Sequence, residues 1–366
     1  MLIKELQIDG IRNLAPLKLQ LDPKMNVFVG LNGSGKTSLL ESICFLVLGR
    51  SFRTSNVDRL INFDKQFVAV SAVYSNKEAQ QIKISALKHK NKEKISKIGG
   101  VRGAVAQIAN IAPTQIIHEA SSGIIFKEPE WRRKFLDWIV FYANQDYQQL
   151  WRDFNRALHQ RNSILKKNHP RREGFLKELD KVFVGLSEKI QKIRKETWVQ
   201  FKEIWSKCFE ELKINCEIKP EITLFDGWTG NLLEKLEQCY ETDLKQGFTC
   251  YGPHRADLFF VINGNPAKEV LSRGQGKTIS ASLILARAEF FQNLQRDNNA
   301  ISVLLIDDLC AELDDINGRK IIEFLLAKHR KTQVFITGVE KNILLKVLPQ
   351  EGCQWFSVKN GVVVGD

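Results

Sequence analysis

The sequence predicts an α/β fold in which two halves of one domain are separated by an α-helical insertion, and three observations predict it. The first third carries short apolar runs of strand character, one of which ends in a glycine-rich loop at Gly30. From Trp131 to Leu212 large apolar residues recur at helical spacing. From Ser302 onward strand and helix patterns alternate again. The expected division is residues 1–118 for the first half, 119–245 for the helical lobe and 246–366 for the second half.

In the first half, residues 2–8 roughly alternate in polarity and residues 26–29 form a short apolar run. Residues 67–74 and 81–87 share the strand-like composition. In the insertion the first periodic run is Trp131, Phe135, Trp138, Tyr142, Tyr147, Trp151, Phe154 and Leu158. A second follows the break at Pro170 and Gly174 and extends from Phe175 to Leu212. Each run is longer than an ordinary helix, so a long antiparallel hairpin is expected. Six of the seven tryptophans lie between 131 and 228, at spacings that favour packing over a stacking platform for bases. The second half reads as a strand at 302–306, a helix at 317–328 and a strand at 333–336.

A chain of 366 residues with 43% apolar and 26% charged side chains can bury a core without staples. It holds no run of 18 uncharged apolar residues, which excludes a membrane-spanning helix. Lys4, Glu5, Asp9 and Arg12 stand where a signal peptide needs an apolar segment. Seven cysteines, an odd number without a Cys-x-x-Cys pair, argue against a disulfide framework and a zinc site, so a reducing cytoplasm is expected.

The net charge of +12 is concentrated in residues 1–118, which hold 17 Lys and Arg against 8 Asp and Glu. The densest stretch contains Lys83, Lys88, Lys90, Lys92, Lys94, Lys97 and Arg102, opposed locally only by Glu93. Two readings are open: a stripe that neutralises nucleic-acid phosphates or an anionic membrane, or a solvated hairpin with lysines guarding an edge strand. Arg50, Arg53 and Arg59, close to the glycine-rich loop, are candidates for phosphate or DNA contact.

The loop Gly30-Leu31-Asn32-Gly33-Ser34-Gly35-Lys36-Thr37 fits the phosphate-binding pattern G-x-x-x-x-G-K-[ST]. It follows an apolar strand and opens a helical stretch at Ser38, the context the pattern requires. Backbone N–H groups would cradle phosphate oxygens and Lys36 would reach the β- and γ-phosphates. The Thr37 hydroxyl would ligate Mg²⁺. The apolar strand 302–306 ends in Asp307 and Asp308 at the edge where α/β folds bind ligands. Alone, two acids after a strand read as a helix cap and a solvated charge. Beside a phosphate-binding loop, Asp307 becomes the Mg²⁺ ligand and Asp308 the group that orients or deprotonates water.

Leu271-Ser272-Arg273-Gly274-Gln275 opens a helix with a strongly apolar face and resembles the signature motif of ABC-type ATPases. The segment from Asp307 to Asp314 resembles their Walker B motif and D-loop. The resemblance narrows with Tyr251-Gly252-Pro253-His254-Arg255-Ala256-Asp257-Leu258, with Gly49-Arg50-Ser51-Phe52-Arg53-Thr54, and with Ala157-Leu158-His159-Gln160-Arg161-Asn162-Ser163. These are similar to motifs of the RecF family of bacterial recombination mediators. So are Arg132 to Asp137 and Leu271 to Lys277, and the likeness extends from residue 1 to about 340.

The resemblance implies an ABC-type, SMC-like ATPase head with a short helical second lobe. It implies ATP and Mg²⁺ as ligands and an ATP-dependent homodimer in which Ser272, Gly274 and Gln275 of one copy face the nucleotide of the other. Asp314 would contribute from the D-loop, and Gln115 sits where the Q-loop residue, a further metal contact, is expected. DNA at gaps or single-stranded/double-stranded junctions is the implied partner, with RecR, RecO and RecA in recombinational repair and replication restart. Turnover is left open, with weak DNA-stimulated hydrolysis of ATP to ADP and phosphate as the expectation. Thr337 stands where ABC transporters usually carry a histidine, and Ile117-His118-Glu119-Ala120 departs from the more polar segment common in relatives. His254 and Arg255 remain open between support of the head and contact with DNA or nucleotide.

Two other functions compete: the ATP-binding subunit of a transporter, and a nucleotide-gated DNA-binding scaffold with negligible turnover. A transporter subunit predicts a switch histidine, a short path from phosphate loop to signature motif, and a membrane partner. Here a long helical insertion separates Lys36 from Gly274. A structural SMC protein would need a far longer heptad insertion.

Overall fold

The computed structural model describes residues 2–54, 56–75, 80–167, 171–212, 218–294, 302–328 and 332–365. The chain divides into two compact units, one made of Met1–Ser121, Cys208–Asn215 and Lys277–Asp366, the other of Ser122–Lys207 and Cys216–Gly276. No helix among the described residues is long and apolar enough to cross a membrane.

The first unit holds two six-stranded sheets. One is antiparallel, in the order Leu17–Gln20, Leu2–Asp9, Phe67–Ser75, Gln81–His89, Ile95–Ile98, Val101–Arg102. The other has the order Val362–Gly365, Cys353–Lys359, Met25–Val29, Thr332–Gly338, Ser302–Ile306, Thr114–Ile117. Its strands run parallel except for Val362–Gly365, which pairs antiparallel at the edge. Every residue of Met25–Val29, Ser302–Ile306 and Thr332–Gly338 is buried. Both faces of these strands are covered, and this is why they read as continuous apolar runs rather than alternating ones.

Helix Lys36–Leu48 lies in the core to which both sheets contribute. Its Leu39, Leu40, Ile43 and Phe45 share one apolar cluster with Leu6 and Val70 of the antiparallel sheet and with Phe28, Leu305 and Phe335 of the parallel one. A helix enclosed in this way needs apolar residues all round, and its sequence has them. Its buried carboxylate is Glu41, wholly enclosed, which accepts a bidentate pair from Arg12 at 2.6 and 2.8 Å. The fork satisfies a charge that would otherwise be too costly to enclose.

The second unit is mostly helical, with a small antiparallel sheet of Asn265–Pro266, Asp257–Ile262 and Glu221–Phe225. The first periodic run of the insertion is two helices, Pro129–Ala143 and Tyr147–Lys166. Asn144 interrupts it with an extended backbone (φ −136°, ψ 116°), and its side chain accepts from the Asp146 N–H at 3.0 Å. The second run is a single 41-residue helix, Arg172–Leu212. Tyr147–Lys166 lies antiparallel to it: Phe154 meets Phe183, and buried Arg161 donates to Asp180 at 2.7 Å. The same guanidinium reaches Asp243 at 2.5 Å and Thr249 at 2.9 Å, so one charge joins three segments of the unit. Trp198, Trp205 and Trp228 are buried, in keeping with a packing role.

Candidate functional site

The parallel sheet places the phosphate loop and the two aspartates side by side. Met25–Val29 pairs with Thr332–Gly338, which pairs with Ser302–Ile306, so the loop after the first strand and the acids after the third emerge at one edge. The loop's backbone conformation explains its glycines. A Cβ at Gly30 would stand 2.1 Å from the Val358 carbonyl oxygen. Gly35 has φ 115°, a conformation that side chains resist.

Around this loop lies a cavity of about 580 Å³ lined by Asn32, Gly33, Gly35, Lys36, Thr37, Ser38, Asp307, Asp308 and Thr337, among others. The Lys36 ammonium donates to the carbonyls of Gly30 at 2.6 Å and Leu31 at 3.0 Å. Burial pulls its pKa down, and Asp308 and Asp307 push it back up. The Thr37 hydroxyl donates to Asp307 at 2.9 Å. Burial raises the Asp307 pKa, while hydrogen bonds from Thr337 and Thr37 lower it. Asp308 follows in a left-handed conformation (φ 52°, ψ 67°), which turns it out of the strand.

Other residues join the site from outside the phosphate loop and the paired acids, among them Thr337, Arg53 and Arg59, which the sequence singles out. Thr337, fully buried, donates to Asp307 at 2.9 Å and accepts from the Asp308 N–H at 2.8 Å. Asn13 holds the loop, donating to the Gly33 carbonyl at 2.9 Å and accepting from the Ser38 hydroxyl at 3.3 Å. Arg12, Arg53, Arg59 and the turn from Asn62 to Asp64 also line the cavity. Arg12 and Asn13 sit in a turn between strands, where polar residues are ordinary, so nothing but a loose polar pair was available to flag them.

The residues present fit a polyphosphate and a hard divalent cation. The Ser34 hydroxyl is buried without a hydrogen-bond partner inside the loop that would cradle phosphate. Asp307 and Thr37 offer the one carboxylate and one hydroxyl that Mg²⁺ takes beside substrate phosphates.

Gln115 is not brought to this cavity. It is 2% exposed in the middle of Thr114–Ile117, opposite Leu304, and accepts from Arg287 at 3.1 Å. The strand runs on to Ile117, whose carbonyl accepts from the Asp307 N–H, so Gln115 stops short of the sheet edge.

The signature segment belongs to the second unit. The Ser272 N–H donates to Gln275 Oε1 at 2.9 Å and the Gln275 N–H donates to Ser272 Oγ at 3.2 Å, a reciprocal cap on helix Arg273–Leu294. Gly274 is exposed, and a Cβ there would meet nothing nearer than Ser272 Oγ at 4.0 Å. In the first unit, Lys277 donates to the Ala311 carbonyl at 2.8 Å, just after Asp308. Asp314 caps helix Asp315–Lys328, accepting from the N–H groups of Ile316 and Asn317.

Of the basic candidates, Lys88 pairs with Asp58 and Lys94 is half-buried. The Lys94 ammonium donates to the Phe45 carbonyl at 3.1 Å at the end of helix Lys36–Leu48, and burial lowers its pKa to about 8. Lys90 and Lys92 stand exposed, as do Lys97 and Arg102, which face each other across the hairpin. Arg53 lies 3.9 Å from Glu41, and Arg50 is exposed.

The model of RecF/RecN/SMC N-terminal domains matches residues 2–363. The DNA replication and repair protein RecF of Francisella tularensis subsp. tularensis (strain WY96-3418) is 35% identical over 347 residues, 93% of this chain and 96% of that protein. Its counterpart in subsp. holarctica (strain LVS) is 34% identical over the same span. Among solved structures, the recombination mediator protein RecF-ATP in the RecFOR pathway matches with a TM-score of 0.86 at 29% identity, covering 100% of this chain and 97% of that one. The Smc head bound to the C-winged helix domain of ScpA matches at 0.58 with 16% identity, a likeness of fold.

Proposed function

This chain belongs to the RecF family within the RecF/RecN/SMC group, and from that premise we propose that it is an ATP-dependent DNA-binding protein of recombinational repair. The observation that carries the reading is the meeting of Lys36, Thr37, Asp307 and Asp308 in one cavity. The loop and Lys36 bind the phosphates of ATP, and Thr37 and Asp307 would hold Mg²⁺, which when bound neutralises charge on the β- and γ-phosphate oxygens. Asp308 orients water for attack on the γ-phosphorus and takes its proton, while the bond from that phosphorus to the β–γ bridging oxygen breaks and ADP leaves.

ATP closes a homodimer in which the partner subunit's Ser272 and Gly274 complete the phosphate site. Gly274 supports this reading: nothing within its own chain demands glycine there, whereas a close approach by a second molecule does. Closure holds DNA at gaps, hydrolysis reopens the dimer, and the protein works in the cytoplasm with RecO and RecR to place RecA.

The test mixes two variants that each fail alone. Lys36→Met removes the charge on the phosphates, and Ser272→Arg blocks the face that completes the partner's site. Neither should dimerise with ATP by size-exclusion chromatography, while their mixture, which keeps one composite site with both halves intact, should recover dimers. Ser272→Arg protein that dimerises as wild type would remove the trans arrangement. Lys36→Met protein that binds ATP as wild type would remove the phosphate-loop assignment.

A further inference from the structure

The phosphate loop is gripped from outside by the hairpin of Cys353–Lys359 and Val362–Gly365. Asn360 and Gly361 join its strands with φ of 49° and 81°, the doubly left-handed backbone of a two-residue hairpin turn. The Gly361 N–H leaves the hairpin and donates to the Ser34 carbonyl at 2.8 Å. The Gly361 carbonyl accepts from the Ala15 N–H at 3.0 Å. Asn13, on the same strap as Ala15, donates to the Gly33 carbonyl at 2.9 Å, so turn, strap and loop close a ring of hydrogen bonds. Gly361 is buried where the three segments meet. A Cβ there would stand 2.0 Å from the Asn13 carbonyl oxygen and would hold the turn away from the loop.

The effect of this grip follows from the geometry of one peptide plane. A trans peptide points its C=O and its N–H in opposite directions. The Ser34–Gly35 bond is trans, so a donor that fixes the Ser34 carbonyl also aims the Gly35 N–H, away from the turn. Gly35 lines the nucleotide cavity and stands just before helix Lys36–Leu48, where backbone N–H groups meet a phosphate. Left unheld, this plane would turn easily, because Gly35 has no Cβ to restrict it.

We propose that Gly361 is a positioning residue of the phosphate loop: its N–H fixes the Ser34–Gly35 peptide plane so that the Gly35 N–H points at the phosphates. The inference rests on the phosphate-loop reading and adds a determinant that lies far outside the loop motif. Because the bond acts on a plane that meets phosphate, its loss weakens any polyphosphate alike, with or without a base attached. The hairpin is then part of the nucleotide site as well as an edge of the sheet.

The experiment measures binding of ATP and of inorganic tripolyphosphate, each with Mg²⁺, by calorimetry on the full chain, beside unfolding in denaturant. Gly361→Ala should weaken both ligands by about ten- to a hundredfold, the worth of one hydrogen bond to a charged group. One glycine inserted between Asn360 and Gly361 lengthens the turn without left-handed strain and should give the same loss. Asn360→Gly keeps the turn and the Gly361 N–H and should bind as wild type. Val363, on the same hairpin, packs against the core, so Val363→Ala should lower stability and leave both affinities unchanged. Wild-type affinity in the folded alanine or insertion variant overturns the proposal. So does a loss confined to ATP, or an equal loss in Val363→Ala, which would make the hairpin a matter of stability alone. Lys36→Met separates the two levels: it should abolish binding of both ligands, and if it weakens neither, the phosphate-loop reading itself fails.

Discussion

The Thr337 hydroxyl donates to the Asp307 carboxylate at 2.9 Å, and the same oxygen accepts from the N–H of the next residue, Asp308. One buried hydroxyl thus fixes the proposed metal ligand and the backbone of the proposed base. Where a histidine would face the γ-phosphate directly, this threonine acts through the two acids beside it.

Thr337→Val keeps the shape and removes both bonds. It leaves the Asp308 N–H without its acceptor, and a buried unsatisfied group costs about 1–3 kcal/mol. The variant should lose that much stability in denaturant titrations and should bind Mg²⁺-ATP more weakly, while Thr337→Ser should behave as wild type. A valine variant with unchanged Mg²⁺ dependence would show that Thr337 does not position Asp307.

Asp308→Asn separates closing from reopening. Asparagine tolerates the left-handed conformation of this position, so the backbone should hold. Basicity and charge are lost, and hydrolysis should slow by roughly 10²–10⁴-fold with ATP binding retained. Phosphate release and dimer lifetime report the two halves of the effect. Wild-type turnover in this variant would mean the carboxylates are wrongly assigned.

The basic hairpin divides by exposure. Replacing Lys90, Lys92, Lys97 and Arg102 with Gln should flatten the salt dependence of DNA binding by about 0.9 in log–log slope for each phosphate no longer neutralised. ATP affinity should not move. Lys94→Gln should act differently, lowering thermal stability through the end of helix Lys36–Leu48. If the fourfold variant keeps the wild-type slope, these side chains are a solvated edge and no more.

His254 supplies a pH dependence. Burial beside Phe154 and Phe183 lowers its pKa to about 4, helped by Arg255, Arg133 and Arg161 and opposed by its bond to the Thr249 carbonyl. The ordinary value is 6.5, so between those values the unfolded chain binds more protons than the folded one. Stability is then full above about 6.5 and falls as pH drops toward 4, by on the order of 3 kcal/mol at the bottom of the window. The difference in unfolding free energy between wild type and His254→Gln, measured from pH 7 to pH 4, isolates this group. A difference that stays constant with pH would show that His254 is not held neutral.

The parts of the site that follow one another along the chain were legible in the sequence. Met25 to Thr37 and Ser302 to Asp308 each combine an apolar strand with the residues at its end, and local pattern fixes both. What depends on partners far along the chain was not. Gln115 was placed by motif, but only the register against Leu304 reveals that it stops short of the sheet edge. Lys94 reads as one more lysine until Phe45 is seen beside it. Asn144 breaks a helix inside a periodic run because its side chain holds an extended turn, which apolar spacing does not register.

The phosphate-loop strand Met25–Val29 takes both of its neighbours, Thr332–Gly338 and Cys353–Lys359, from the far end of the chain. During synthesis roughly 300 residues separate Val29 from the first of them. At about 5–20 residues per second the ribosome needs on the order of 15–60 seconds to cover that distance. Throughout this interval the loop has no sheet on either side to hold its curve. A nascent chain stalled before Thr332 therefore carries the whole phosphate motif and the signature segment without a nucleotide site. Engagement of nucleotide waits on translation, and the apolar strand waits with it, a natural client for chaperones until its partners emerge.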